Sequence, residues 1–236
     1  MTELIYQHDS YVKEFDATVT GIDAENNSVL LDRTAFYPGG GGQPNDEGSL
    51  IVDGVTYHVA KAQRGNVHVI AGDALPEVGA SVHGVLDWER RYKLMRTHTA
   101  MHILCGVVWR DYGATVTGGN MELLKGRMDF KFERLQKELV SEIEERINTE
   151  MEKGYDLRVN ILPREEAFQI PDLIRTEINL LPPGIPEVRT VEIVGLDLQA
   201  DGGTHVKNTR EVGRIRVTDY KSKGGINKRL YVELDE

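Results

Sequence analysis

The apolar residues of this chain change period once, near Trp88, and that change divides it into two kinds of structure. Residues 14 to about 87 show no helical period. Short alternating runs at 15–22, 29–31, 49–52, 55–60, 67–70 and 81–86 are separated by turn signals such as Asn26-Asn27 and Asp53-Gly54. Alternation lets a strand bury one face, and several such strands with glycine-rich connections predict a small β-barrel. The stretch YPGGGGQPNDEG at 37–48 interrupts it as a loop without periodicity. Beyond Trp88 the spacing turns helical. Over 90–110, Leu94, His98, His102 and Cys105 share one face; over 133–154, Leu135, Leu139, Ile143, Ile147 and Met151 recur every four residues, with Gly154 as the stop. Residues 157–162, 188–194, 213–219 and 229–234 read as strands. Pro163 opens a short helix, and Pro182, Pro183 and Pro186 mark an irregular crossing. The expected class is α+β: a small β-barrel domain over 1–89, then an α+β domain over 90–236.

A single cysteine, Cys105, forbids an intramolecular disulfide and suits a reducing compartment. No basic stretch followed by an apolar run opens the chain, and its longest apolar run, near 107–109, is far short of the roughly 20 residues that span a bilayer. A soluble, cytoplasmic protein without a membrane partner is expected. The net charge of −10 argues against indiscriminate nucleic-acid binding, but the charge is uneven. Residues 1–60 carry ten acids against Lys13 and Arg33, whereas 206–230 carry eight bases against Glu211 and Asp219. Arg90, Arg91, Lys93 and Arg96 form a second basic group. Local basic patches on an acidic body suit RNA held at a defined site; they equally suit solvated strand faces.

His98 and His102 lie four apart in the expected helix, so both imidazoles leave one face about 6 Å apart along the axis. Metalloenzymes bind zinc with that spacing, although two histidines also fall one turn apart by chance. Cys105 shares the face but lies about 10 Å along the axis from His98, too far for one ion to bridge; core packing is its better reading. Asp201 and His205 are also four apart, in Asp201-Gly-Gly-Thr-His205. Two histidines plus a histidine and a carboxylate complete a four-ligand set, or three ligands and an open position. The alternative is a glycine turn with a hydrogen-bonded histidine. Four glycines at 39–42, followed by Gln43, bring backbone N–H groups close to a ligand, or form a plain flexible loop. No Lys-Ser/Thr follows at P-loop spacing.

Taken in order, these segments resemble the stand-alone alanyl-tRNA editing proteins, the AlaX family, and the editing domain of alanyl-tRNA synthetase, which has a relative in threonyl-tRNA synthetase. Thr34-Ala-Phe-Tyr-Pro-Gly-Gly-Gly-Gly-Gln43-Pro-Asn-Asp46 looks like the family's glycine-rich motif, and Arg96-Thr-His98-Thr-Ala-Met-His102 like its H-x-x-x-H helix. Arg127-Met-Asp129-Phe, Gly202-Gly-Thr-His205, Lys221-Ser-Lys223-Gly and the last strand are similar to its remaining motifs. The resemblance covers nearly the whole chain. It implies a translation-factor-like barrel followed by an editing domain, one Zn2+ per chain, and tRNA(Ala) mischarged with serine as partner. It implies His98, His102, His205 and Asp201 at the metal, Thr34 and Gln43 as catalytic residues, and Gly40, Gly41, Gly42, Arg127, Asp129, Lys221 and Lys223 at the substrate or tRNA. Where the family commonly has C-x-x-x-H, this chain has Asp201 in the cysteine's place. A carboxylate oxygen also ligates zinc; alternatively Asp201 only orients a histidine.

The activity so implied is ATP-independent hydrolysis, acting in trans, of the ester joining serine, or glycine, to tRNA(Ala). Such an ester is already activated, so positioning it beside a metal-held water could supply most of the acceleration; the ion either activates water or holds the substrate amino group. Serine differs from alanine by one hydroxyl, which an alanine pocket cannot strongly exclude, so a second sieve must hydrogen-bond that hydroxyl. Two rivals remain at this level: hydrolysis of another mischarged tRNA such as Ser-tRNA(Thr), and a non-catalytic tRNA-binding module with structural histidines.

Overall fold

The computed structural model describes residues 2–132, 136–177 and 181–236, in two compact units, Met1–Lys93 and Leu94–Glu236. In the first unit, β1 (Glu3–Leu4) pairs in parallel with β4 (Arg33–Thr34). Six further strands, β2 (Glu14–Asp23), β3 (Ser28–Leu31), β5 (Gly48–Val52), β6 (Val55–Gln63), β7 (Val67–Ile70) and β8 (Ser81–Leu86), close a barrel in the order β2-β3-β7-β6-β5-β8. The alternation seen in the sequence is the inside–outside alternation of these strands. Phe15, Ala17 and Val19 of β2 pack inward with Val29, Leu31, Leu50, Val59, Ile70 and Val82. Register shifts at Val19/Gly21 and Val59/Lys61 are the bulges that let a small sheet curl shut. Asp53 and Gly54 (φ +48° and +81°) join β5 to β6 as a two-residue turn.

A long helix, α1 (Trp88–Tyr112), enters the second unit, and every residue from 97 to 108 is buried. The one-faced spacing seen in the sequence therefore belongs to a helix covered on all sides. A four-stranded antiparallel sheet follows from β9 (Val116–Glu122), β10 (Lys125–Lys131), β14 (Ile215–Ser222) and β15 (Asn227–Leu234), ordered β14-β15-β10-β9. Helix α2 (Lys137–Lys153) buries Val140, Ile143, Ile147 and Met151, and Gly154 ends it in the left-handed region at φ +74°. Leu135, placed in that helix by its spacing, lies outside the described residues. On the edge strand β14, Asn148 of α2 accepts from Ile215 N–H and donates to Ile215 O, while Glu144 accepts from Val217 N–H. A second sheet, ordered β11-β12-β13, comprises β11 (Leu157–Pro163), β12 (Glu187–Ile193) and β13 (Asp197–Ala200), with the short helix α3 (Arg164–Ala167) after β11. Among the described residues no helix is long and apolar enough to cross a membrane.

Candidate functional site

Within the first unit the glycine-rich stretch is a shaped loop. All four glycines, Gly39, Gly40, Gly41 and Gly42, have positive φ (81°, 141°, 58° and 90°), a region L side chains enter only with strain. Gly40 and Gln43 exchange two backbone hydrogen bonds, at 3.0 and 2.9 Å, and Tyr37 Oη donates to Gly40 O at 3.0 Å. The loop is clamped below by Asp46, which accepts from Tyr37 N–H at 2.6 Å and whose own N–H donates to Tyr37 O at 2.9 Å. Asp46 is in turn gripped by Arg91, whose guanidinium also donates to Ser10 O at 2.9 Å and Ala35 O at 2.6 Å. Both charged side chains are buried. Thr34, also buried, accepts from Phe36 N–H at 3.1 Å and shares a 2.9 Å hydrogen bond with His68 Nε2. Burial pushes the His68 pKa down to about 4, so its ring is neutral. Gln43 is buried as well.

Within the second unit, α1 and the segment after β13 bring His98, His102, Asp201 and His205 together. One ligand atom from each lies within 4.8 Å of the others, and the three histidines are buried. The His98 and His205 rings stack at 4.3 Å, and His102 stands edge-on to both, at 5.1 and 4.7 Å. Asp201 Oδ2 is 2.9 Å from His205 Nε2, and its Oδ1 is 3.6 Å from His98 Nε2. Burial drives His98 well below the usual imidazole range despite the Asp201 charge, and His205 down to about 4. Burial opposes ionisation of Asp201, but the surrounding histidines, His98 foremost, outweigh it and hold the carboxyl well below its usual range. Two neutral imidazoles around an ionised carboxylate, closely spaced and largely buried, form a donor set that fits a divalent cation. The four residues could therefore hold a metal ion.

Two neighbours stand out only in the fold. Asp197 Oδ2 lies 3.1 Å from His102 Nδ1, and burial of His102 is outweighed by that hydrogen bond and charge, so its pKa is raised. Thr99 Oγ1 lies 3.1 Å from His205 Nδ1 and accepts from Val206 N–H. The four-residue rhythm of Asp197, Asp201 and His205 was the available signal for Asp197. The other expected contact residues lie on the sheet. Arg127 and Asp129 are on β10, Asp129 carrying a two-pronged pair with Arg229 at 2.6 and 2.7 Å; Lys221 is the penultimate residue of β14, and Lys223 follows the strand's end at Ser222.

A family model described as tRNA synthetases class II (A) matches residues 5–90, and one described as threonyl and alanyl tRNA synthetase second additional domain matches 188–231. The chain is 43 % identical over 236 residues to an alanyl-tRNA editing protein AlaX-M of Saccharolobus solfataricus, covering 98 % of both. It is 38 % identical to an AlaX-M of Methanosarcina mazei, covering 99 % of this chain and 97 % of that one. An alanine–tRNA ligase of Ignicoccus hospitalis is 39 % identical over 223 residues, which is 92 % of this chain but 24 % of the ligase.

Proposed function

This chain belongs to the alanyl-tRNA editing proteins of the AlaX-M type, and we propose that it hydrolyses the ester of Ser-tRNA(Ala), acting in trans in the cytoplasm with one zinc ion. The observation that carries the reading is the convergence of His98, His102, Asp201 and His205 from two distant segments. When bound there, zinc would supply a Lewis acid in a water-poor site. The protein's own part is to keep that site dry and its donors fixed: buried imidazoles cost nothing in charge, and Asp201 offsets part of the cation's charge.

Discrimination of serine from alanine is assigned to the glycine-rich segment of the barrel domain. A hydroxyl has one donor and two acceptor sites. Thr34 uses two of the three on Phe36 N–H and His68. One remains to meet the seryl hydroxyl, with buried Gln43 as the second polar candidate. Gly41 and Gly42 would offer backbone N–H groups without a side chain in the way, while Gly40, whose N–H donates to Gln43 O, would shape the loop. On the α+β domain Arg127, Asp129, Lys221 and Lys223 would engage the tRNA.

Single-turnover deacylation with a panel of Ser-, Gly- and Ala-tRNA(Ala) and Ser-tRNA(Thr) tests the reading. Ser-tRNA(Ala) should be cleaved and Ala-tRNA(Ala) spared; faster cleavage of Ser-tRNA(Thr) would reassign the substrate, and no cleavage at all would leave a binding module. His98→Ala and His205→Ala should lose bound metal and deacylation together. Thr34→Val should erode the preference for serine while leaving the fold intact; unchanged discrimination would remove Thr34 from the selection step.

A further inference from the structure

Helix α1 carries an interior glycine, Gly106, one turn beyond His102 on the same face. Glycine is a poor helix residue, so its place there calls for a reason, and the packing supplies one. A Cβ at 106 would stand 3.0 Å from Asp197 Cβ, 3.1 Å from Leu196 Cγ and 3.2 Å from Leu196 O. The turn entering β13 thus presses on α1 where a side chain is missing. That approach delivers the Asp197 carboxylate, fully buried, to 3.1 Å from His102 Nδ1. Gln199 Nε2 donates to the same Asp197 oxygen at 2.6 Å, and Arg175 Nε faces the other oxygen at 3.6 Å. Arg175 in turn lies 4.8 Å above the ring of Trp109, further along α1.

We propose that Asp197, admitted by Gly106, is the positioning residue of the metal centre: it holds the Nδ1 proton of His102 and so presents the Nε2 lone pair to the ion. The inference rests on the metal reading above. A carboxylate is acceptor-only, so the 3.1 Å contact requires Nδ1 to donate, and only one tautomer leaves Nε2 free. His102 has a carboxylate on the nitrogen opposite Nε2, whereas His205 has the Thr99 hydroxyl on its Nδ1. Carboxylate partners orient a ligating histidine and make it a stronger donor, and their loss weakens metal binding about 10–100-fold.

Zinc titration of the full chain against a chromophoric chelator, with Asp197→Asn beside the parent, tests this. The variant should bind zinc about 10–100-fold more weakly. The Co2+-loaded form should keep the parent's visible bands, because the ligands themselves are unchanged. In the zinc-loaded parent the His102 Nδ1 proton should give a far-downfield resonance that is lost in the variant, which a purely structural role for Asp197 would not require. Gly106→Ala should weaken zinc severalfold by displacing Asp197, and the double variant should be no weaker than Asp197→Asn alone. Parent-like zinc affinity in Asp197→Asn, or additive losses in the double variant, overturns the proposal. Should the loss of Arg175's anion prevent folding, Gly106→Ala decides alone, and parent-like affinity there overturns it. A parent that binds no zinc at all sinks the metal reading itself, whereas one zinc per parent chain with an unaffected variant sinks only the role of Asp197.

Discussion

Replacing Arg91 by methionine should cost the first unit more than any surface change. Arg91 is completely buried and grips Asp46, itself buried, while donating to Ser10 O and Ala35 O. Methionine fills much of the same volume but donates nothing, so it strands a carboxylate and two carbonyls in the interior. Removing one partner of a buried pair costs about 3–5 kcal/mol, chiefly because the remaining charge is uncompensated. The stranded carbonyls lie within that range, since relaxation and water entry relieve part of each. Against a domain stability of about 5–15 kcal/mol this is a large share. Urea unfolding measures it: with a slope of about 2 kcal/mol/M the midpoint should fall by about 1.5–2.5 M. Trp88 and Trp109 are the only tryptophans, one in each unit. A Trp109→Phe background therefore makes fluorescence report the first unit. Adding Asp46→Leu should recover most of the loss, because both charges are then gone. Recovery should stop about 1 kcal/mol short, since Tyr37 N–H loses its acceptor. A single-variant loss below about 1 kcal/mol, or a double variant no better than the single, would show that the pair does not brace the glycine loop.

The glycines themselves are tested by Gly41→Ala. At φ +58° an alanine costs about 1–2 kcal/mol locally, so the barrel should still fold while deacylation of Ser-tRNA(Ala) falls; full activity would show that the loop shape is not used. In the second unit, hydrogen bonds from Arg110 and Arg146 hold the Asp111 carboxyl down at about 2. A carboxyl whose folded pKa is depressed stabilises above its unfolded pKa of about 3.9 and stops doing so as pH falls through the folded value. The stability difference between parent and Asp111→Asn, about 1 kcal/mol after allowing for the half-exposed arginines, should be full at pH 7 and be lost progressively between about pH 5 and pH 1. A difference undiminished at about pH 1 would sink that assignment.

What the sequence made legible, and what it hid, follows from the range of the interaction concerned. The Asp53-Gly54 turn and the Gly154 helix stop are local backbone requirements, and each appears in the structure at the residue that carries it. The β9–β10 hairpin escaped notice because its turn is Leu123-Leu124, with Leu124 at φ +57° where a glycine or asparagine would signal a turn. Leu124 is buried and its N–H donates to Thr97 Oγ1 of α1, so tertiary packing overrides the local preference. The same division runs through the metal centre. Helical period alone set His98 and His102 side by side, and the four-residue interval of Asp201 and His205 marked the second half. Asp197 stands at that interval too, with the same side chain, yet it touches the back of His102 while Asp201 faces the ring nitrogens of His98 and His205. The difference is where β13 ends: Asp197 is its first residue, tied by register to Ile193, whereas Asp201 follows its last. Spacing could nominate both carboxylates, but only strand register and the missing side chain at Gly106 decide which one reaches the ligand atoms and which one stands behind a ligand.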